Sequence, residues 1–185
     1  MSAAEILHYT YEDYKRWEGD WELIEGLPVA MSPAPSKRHQ RVARELFLQL
    51  NQTLHTDTCD TCEILYEIDW KISDNTVVRP DIVLVCDDDS ATYLTKAPRL
   101  IVEILSPQTA RKDETIKFEL YEKEGVRYYI LVYPDDLKAK IYHINDEGRY
   151  VKLGDFTHER FQADTDACNV AIDFAKAFAP FCQTS

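Results

Sequence analysis

Hydrophobic and polar positions follow two different periods along this chain and predict a mixed α and β protein. Residues 36–54, SKRHQRVARELFLQLNQTL, place apolar side chains every three or four positions and predict a long amphipathic helix. Residues 62–73, CEILYEIDWKIS, alternate between apolar and polar and predict a strand paired with the strand that follows. The remaining predicted elements are a short helix over 10–18, a hairpin over 21–33, a strand over 100–105, a helix from Thr109 or Asp113 to Gly125, a strand over 127–132, a hairpin or meander over 138–163 and a closing helix over 173–178.

Residues 77–117 contain two short apolar runs, VVRPDIVLV and LIVEIL, that we expect to be neighbouring strands covered on both faces. Each run holds one carboxylate, Asp81 in the first and Glu103 in the second. Burying an ionised carboxylate costs several kcal/mol unless it is paired, hydrogen-bonded or bound to a metal. A divalent cation held between Asp81 and Glu103 would offset that cost, and the alternative is that each carboxylate caps a loop amide at a strand end.

The N-terminal end of the long helix carries a second candidate group. His39 lies on the apolar stripe, where a histidine is usually a core residue, and basic side chains surround it in sequence. They are Lys37, Arg38, Arg41 and Arg44. Positive charge at a helix N-terminus opposes the helix dipole, so this cluster indicates an anionic partner, either a phosphate or the carboxylates of another subunit.

Composition limits the function classes. The 21 Lys and Arg residues against 33 Asp and Glu give a net charge of -12, which is the wrong sign for holding nucleic acid by general electrostatics, so any such contact has to be local. The 185 residues, 45% of them hydrophobic, are enough for one domain over 1–185. Apolar runs fall short of the roughly 20 residues that span a bilayer, and we expect a soluble, cytoplasmic protein with no membrane contact.

Five cysteines, an odd number, are scattered along the chain and predict reduced thiols rather than a disulfide framework. Cys59 and Cys62 have CxxC spacing, but a second CxxC or an HxxxH pair that would complete a four-ligand zinc site is missing from the sequence. The sequence therefore gives this pair little weight as a metal site.

The order helix, three strands, helix, strand, with Asp81 and Glu103 on successive core strands, resembles the PD-(D/E)XK nuclease superfamily. Over approximately residues 10–180 the chain is similar to the Uma-type family of restriction-endonuclease-like proteins. The segments that carry this resemblance are WELIEGLPVAMSPAPSKRHQ, RPDIVLV, LIVEILSPQTARKD, and KFELYEKEGV followed by RYYILVYP. The resemblance implies an α/β (α+β) fold, a restriction-endonuclease-like mixed β-sheet core flanked by helices, with extra β-hairpins.

The resemblance also implies an activity. Asp81 and Glu103 would bind Mg²⁺ or Mn²⁺, and a lysine would assist the attacking water during hydrolysis of DNA. Leu105 stands where the superfamily has that lysine, so Lys117 on the following helix is the expected replacement, with His39 and Glu25 lining the same site. A homodimer is expected, because two sites related by a two-fold axis can cut both strands.

Two alternatives stay open on the sequence alone. One is a catalytically lapsed module of the same fold that binds nucleic acid or protein, which the net charge of -12 favours. The other is a hydrolase of small phosphate esters that uses the same carboxylate pair.

Overall fold

A computed structural model describes residues 7–31, 34–54, 59–107 and 110–181. The helices are Tyr11–Tyr14 (α1), Lys37–Leu54 (α2), Ala110–Lys112 (α3), Phe118–Lys123 (α4) and Phe174–Phe178 (α5). The strands are Trp21–Ile24 (β1), Leu27–Ala30 (β2), Cys62–Tyr66 (β3), Trp70–Ser73 (β4), Thr76–Val78 (β5), Ile82–Cys86 (β6), Leu100–Ile104 (β7), Tyr128–Tyr133 (β8), Lys138–Ile144 (β9), Tyr150–Phe156 (β10), Arg160–Asp164 (β11) and Asn169–Asp173 (β12).

A six-stranded sheet in the order β10-β9-β8-β7-β6-β3 forms the centre of the fold. Strands β7 and β8 are parallel, and the other neighbours are antiparallel. The predicted adjacency of the two apolar runs is confirmed where β6 pairs with β7. The mixed sheet flanked by helices, predicted from the sequence, is therefore confirmed.

Both faces of this sheet are covered, so its central strands β6 and β7 are buried at every position. On one face, side chains spaced four apart on α2 pack against the sheet together with β12 and α5. They are Val42, Leu46, Leu50 and Leu54. On the other face, Ile101, Leu105 and Tyr129 pack with Tyr121 of α4 and Trp70 of β4. Alternate residues of β7 thus enter two separate cores.

The predicted hairpin over residues 62–85 is divided between two sheets. Strands β3 and β6 pair within the six-stranded sheet, whereas β4 and β5 join a second sheet in the order β2-β1-β5-β4. Glu67 has a positive φ of 50° after β3, and Pro80 interrupts the opposing run, because proline lacks the N–H that continues a ladder. The prediction of one continuous strand over 62–73, and of one over 77–85, was wrong for this reason.

The helix predicted before Gly125 is present but irregular. Between α3 and α4, Asp113–Lys117 forms a π-helical turn, in which hydrogen bonds join backbone groups five residues apart instead of four. Asp113 lies buried inside this turn, so its prediction as an N-cap was wrong, and Thr109 lies outside the described residues. At the end of the chain, Asp173 caps α5 by accepting a hydrogen bond from the Lys176 N–H at 3.2 Å, and the predicted closing helix is confirmed.

Strands β9 and β10 form the predicted C-terminal hairpin, and β11 pairs with β12 as a separate two-stranded sheet. Among the helices of the described segments, none has the length and apolar character needed to cross a membrane.

Candidate active site

A cavity of about 670 Å³ opens where the end of β7, the start of α2 and the π-helical turn meet. Four of the five site residues predicted from the sequence line it: His39, Asp81, Glu103 and Lys117. Leu105 also lines it. The fold therefore brings together groups that are far apart in the chain. His39 and Lys117, for example, are 78 residues apart.

Glu103 and Lys117 form a buried ion pair, with Lys117 Nζ 2.9 Å from Glu103 Oε1. Only 3% of Glu103 and 2% of Lys117 is exposed. The Tyr121 hydroxyl donates to the same carboxylate oxygen at 3.0 Å. The predicted replacement for the lysine missing at Leu105 thus reaches the carboxylate from the following helix.

Lys117 also lies 2.9 Å from Oε1 of Glu22, a carboxylate that sequence reasoning missed. Glu22 is fully buried in β1 and accepts from Lys112 Nζ at 2.7 Å and from the Arg79 N–H at 2.9 Å. Because a π-helical turn repeats at five residues, Lys112 and Lys117 lie on one side of the helix and both reach Glu22. The irregular turn is what lets one carboxylate bind two lysines.

Glu25, the fifth predicted residue, lies elsewhere. It is exposed in the turn between β1 and β2, where its φ is 51°, and it is not among the residues that line the cavity. The expectation that Glu25 lines the site is therefore corrected: Glu22, three residues earlier, is the glutamate of this segment that contacts Lys117. Glu22 lies between apolar residues in the sequence WELI, so the criterion that singled out Glu103, a carboxylate inside an apolar run, applies to Glu22 as well.

Asp81 precedes β6 and is held by two donors on the same oxygen. The Ile104 N–H donates to Asp81 Oδ2 at 2.6 Å, and His39 Nε2 lies 3.2 Å from that atom. Ser36 Oγ accepts from the His39 N–H at 3.1 Å, which fixes the first turn of α2 beside the cavity. His39, a core residue on the simplest interpretation of the sequence, thus orients one of the two candidate metal ligands.

The charges of these groups shift their pKa values in opposite directions. Burial alone would raise the pKa of Glu22, but the ammonium groups of Lys117 and Lys112 outweigh it and lower that pKa to about 2. Burial would lower the pKa of Lys117, and the carboxylates of Glu103, Glu22 and Asp113 instead raise it well above its usual range. Lys117 therefore stays charged throughout the neutral range.

Glu103 behaves differently from Glu22. Burial raises its pKa above the ordinary value, Lys117 opposes this, and the neighbouring carboxylates of Asp113, Asp81 and Glu22 add to the rise. The Lys117 ammonium is 2.9 Å from both Glu103 and Glu22 and 3.6 Å from Asp113, so one positive charge is shared among three carboxylates. The negative charge of Glu103 is consequently less compensated than that of Glu22, which also pairs with Lys112.

Burial alone would lower the pKa of His39, but the hydrogen bond and negative charge of Asp81 outweigh it and raise that pKa above its ordinary value. The protonated form of His39 is therefore favoured by its contact with Asp81.

The residues present fit a hard divalent cation. Asp81 and Glu103 supply carboxylates for it, whereas the carboxylates of Glu22 and Asp113 pair with the ammonium groups of Lys112 and Lys117. Among the described residues, the hydrogen-bond donors to Asp81 all use Oδ2 and those to Glu103 all use Oε1. One oxygen of each remains for a cation, and oxygen donors are what Mg²⁺ and Mn²⁺ prefer.

Comparison with known protein families finds a match over most of the chain. A family model described as "Putative restriction endonuclease", Uma2, matches residues 11–172. The chain belongs to the Uma2 family. The resemblance seen in the sequence is thus confirmed, and Asp81, Glu103 and Lys117 all lie inside the segment that matches the Uma2 model.

Two relatives extend this result. An uncharacterized protein of Synechocystis sp. is 28% identical over 169 residues, which cover 88% of each chain. A solved structure of a "putative nuclease" from Anabaena variabilis superposes with a TM-score of 0.73 at 17% identity, over 92% of this chain and 97% of that one. At this identity, the second comparison shows that the two proteins share a fold, and the fold class predicted from the sequence is confirmed.

Proposed function

We propose that this chain is a metal-dependent endonuclease of the PD-(D/E)XK type that hydrolyses DNA phosphodiester bonds. The observation that carries the proposal is the buried Lys117–Glu103 pair, 2.9 Å apart, in an open cavity that Asp81 also lines. Asp81 and Glu103 would hold Mg²⁺ or Mn²⁺, which supplies charge to polarise the phosphate and a bound water of lowered pKa.

Lys117 contributes positive charge rather than base catalysis. Its raised pKa keeps the ammonium protonated at neutral pH, so it cannot accept a proton from water. An ammonium held beside the reacting phosphate can orient the water or stabilise the negative charge that develops on the phosphate oxygens. Tyr121 and Glu22 fix its position and that of Glu103 through the contacts described above.

DNA would reach the cavity along the exposed basic side of α2. Lys37, Arg38, Arg41 and Arg44 are exposed, and Ser36 and His39 of the same helix end line the cavity. Within a chain of net charge -12, this local cluster is where phosphates of a backbone would bind. The observed exposure supports the anionic partner predicted from the sequence.

The direct test is cleavage of supercoiled plasmid with Mg²⁺ or Mn²⁺. We expect nicked and linear product from the wild type. Asp81→Ala and Glu103→Gln should lower the cleavage rate by more than the roughly 10–100-fold that is typical when a group that only orients a metal ligand is removed. Glu25→Ala is the matched control, because it removes an exposed carboxylate outside the cavity and should cut at the wild-type rate. Equal activity of Asp81→Ala and wild type would refute the assignment.

Hydrolysis of a small phosphate ester by the same groups is a second candidate, because the cavity volume falls within the roughly 300–1,000 Å³ range of small-ligand sites. A chromogenic phosphate monoester and diester, assayed beside the plasmid, separate the two activities. Metal binding without turnover of any of these substrates would instead favour the lapsed binding module.

We also propose that the active form is a homodimer, so that two cavities act on the two strands of a duplex. Light scattering should then give about twice the chain mass of 21.5 kDa, and a value near 21.5 kDa would exclude the dimer.

A further inference from the structure

Four cysteine sulfurs converge at the end of the fold that holds β3 and β6. The Sγ atoms of Cys59, Cys62, Cys86 and Cys168 all lie within 4.8 Å of one another. None of these residues is among those that line the candidate active site. The cluster is therefore separate from the proposed nuclease chemistry.

Backbone pairing explains how three of the four cysteines meet. Cys62 begins β3 and Cys86 ends β6, and the antiparallel register places them directly opposite each other. Cys59 lies three residues before Cys62, in the CxxC spacing that the sequence shows. The sequence shows no second CxxC motif. Cys86 and Cys168, which is distant in the chain, supply the other two sulfurs of the four-cysteine set.

Cys168 lies in the turn that joins β11 to β12. The buried Thr165 hydroxyl donates to the Cys168 carbonyl at 2.8 Å and accepts from the Cys168 N–H at 3.2 Å, which fixes this turn. Cys168 and Cys86 are 4% and 5% exposed, and all four cysteines belong to or pack against the core that α2 covers. The cluster therefore connects the two-stranded sheet to the edge of the six-stranded one.

A disulfide joins Cys62 to Cys86, contrary to the reduced thiols expected from the sequence. That bond uses two of the sulfurs and gives no reason for Cys59 and Cys168 to lie within 4.8 Å of them. Four thiolates around one Zn²⁺ at ~2.3 Å lie ~3.8 Å apart in a tetrahedron. That distance is inside the 4.8 Å limit of this cluster, and reduction of the Cys62–Cys86 bond would let its two sulfurs separate to it. Two ligands from CxxC and two from separate elements also suit a closed structural site.

We propose that the reduced chain binds one Zn²⁺ through Cys59, Cys62, Cys86 and Cys168. A dithiol reductant supplies two electrons and two protons that split the Cys62–Cys86 bond into two thiols, and is itself oxidised to a disulfide. The four thiols then release four protons as their sulfurs bind the cation. The bound ion links β3 and β6 to the β11–β12 turn, and so fastens the two-stranded β11–β12 sheet to the six-stranded sheet.

Metal content of protein purified anaerobically with a dithiol reductant tests this directly. We expect about one zinc per chain by mass spectrometry, and replacement with Co²⁺ should give the intense charge-transfer and visible bands of tetrahedral cobalt thiolate. Cys168→Ser should lower the zinc content at least tenfold. Cys182→Ser is the matched control and should retain one zinc, because the four-thiolate set is complete without Cys182, which lies outside the described residues.

A second measurement leaves all four proposed zinc ligands in place, so misfolding of a ligand variant cannot affect it. In the Cys182→Ser chain, all four remaining thiols should resist a thiol-reactive reagent while zinc is bound and react after a chelator removes it. Wild-type protein that contains less than a tenth of an equivalent of zinc and gives no cobalt thiolate bands would overturn the proposal. So would four thiols that react equally fast with and without zinc.

Discussion

The Lys117 ammonium lies 2.9 Å from the Glu103 carboxylate although the two residues belong to different elements, a π-helical turn and the strand β7. Two positions after Glu103, where the resemblance places a lysine, Leu105 packs into the core. The positive charge at this carboxylate thus comes from a helix that crosses the strand rather than from the strand itself.

Replacing Lys117 should destabilise the fold strongly. Lys117→Met would leave Glu103, Glu22 and Asp113 buried with their shared cation removed, and loss of one partner of a buried pair costs about 3–5 kcal/mol. Urea unfolding measures this loss. Lys176→Met, which removes an exposed lysine paired with Asp173 at 3.7 Å, should cost no more than about 1 kcal/mol. Equal losses in the two variants would contradict the buried network.

Glu103 should make the metal-free protein less stable as the pH rises. Burial and the neighbouring carboxylates raise its pKa above the ordinary 4.5, so in the window between the unfolded and the folded pKa the folded protein holds a proton that the unfolded chain has lost. Stability therefore falls with increasing pH through this window, and Glu103→Gln should remove that slope. Glu22, with a pKa lowered from 4.5 to about 2, adds the opposite trend only below pH 4.5.

Unfolding free energies of wild type and Glu103→Gln, measured with a chelator at several values between about pH 5 and about pH 8, provide the test. Parallel curves for the two proteins would show that Glu103 is not the titrating group. Because the cation requires ionised Glu103, Mg²⁺ affinity should also rise with pH over the same interval.

His39 should act on metal affinity through Asp81. Its ring lies 3.2 Å from Asp81 Oδ2, and removing a group that orients a metal ligand typically costs about 10–100-fold in affinity. We expect His39→Ala to raise the Mn²⁺ dissociation constant by that factor in calorimetry. His158→Ala, which removes an exposed histidine, should leave it unchanged. An unaltered Mn²⁺ affinity in His39→Ala would argue against the positioning role.

The basic end of α2 should set the salt dependence of DNA binding. Each neutralised phosphate contact makes the slope of log K against log salt more negative by about 0.9 on duplex DNA, so Arg41→Gln with Arg44→Gln should reduce the magnitude of that slope by about 1.8. Arg160→Gln, an exposed arginine on β11, should not change the slope. Fluorescence anisotropy in the presence of Ca²⁺ would measure binding, and identical slopes in all three proteins would place the DNA elsewhere.

The sequence by itself determined the mixed fold, the long amphipathic helix and the two carboxylates inside apolar runs. Each of these follows from local periodicity or from the energetic cost of a buried charge, which a sequence displays directly. It also indicated Lys117, although only through resemblance to a family.

The tertiary structure decided which distant groups share a site. Glu22 rather than Glu25 contacts Lys117, because the pairing of β1 with β2 and β5 buries one glutamate and leaves the other in a turn. Cys168 joins Cys59, Cys62 and Cys86 only because β11 and β12 fold back onto the sheet edge. Spacing along the chain carries no information about such contacts, since they depend on strand pairing and packing between elements far apart in sequence.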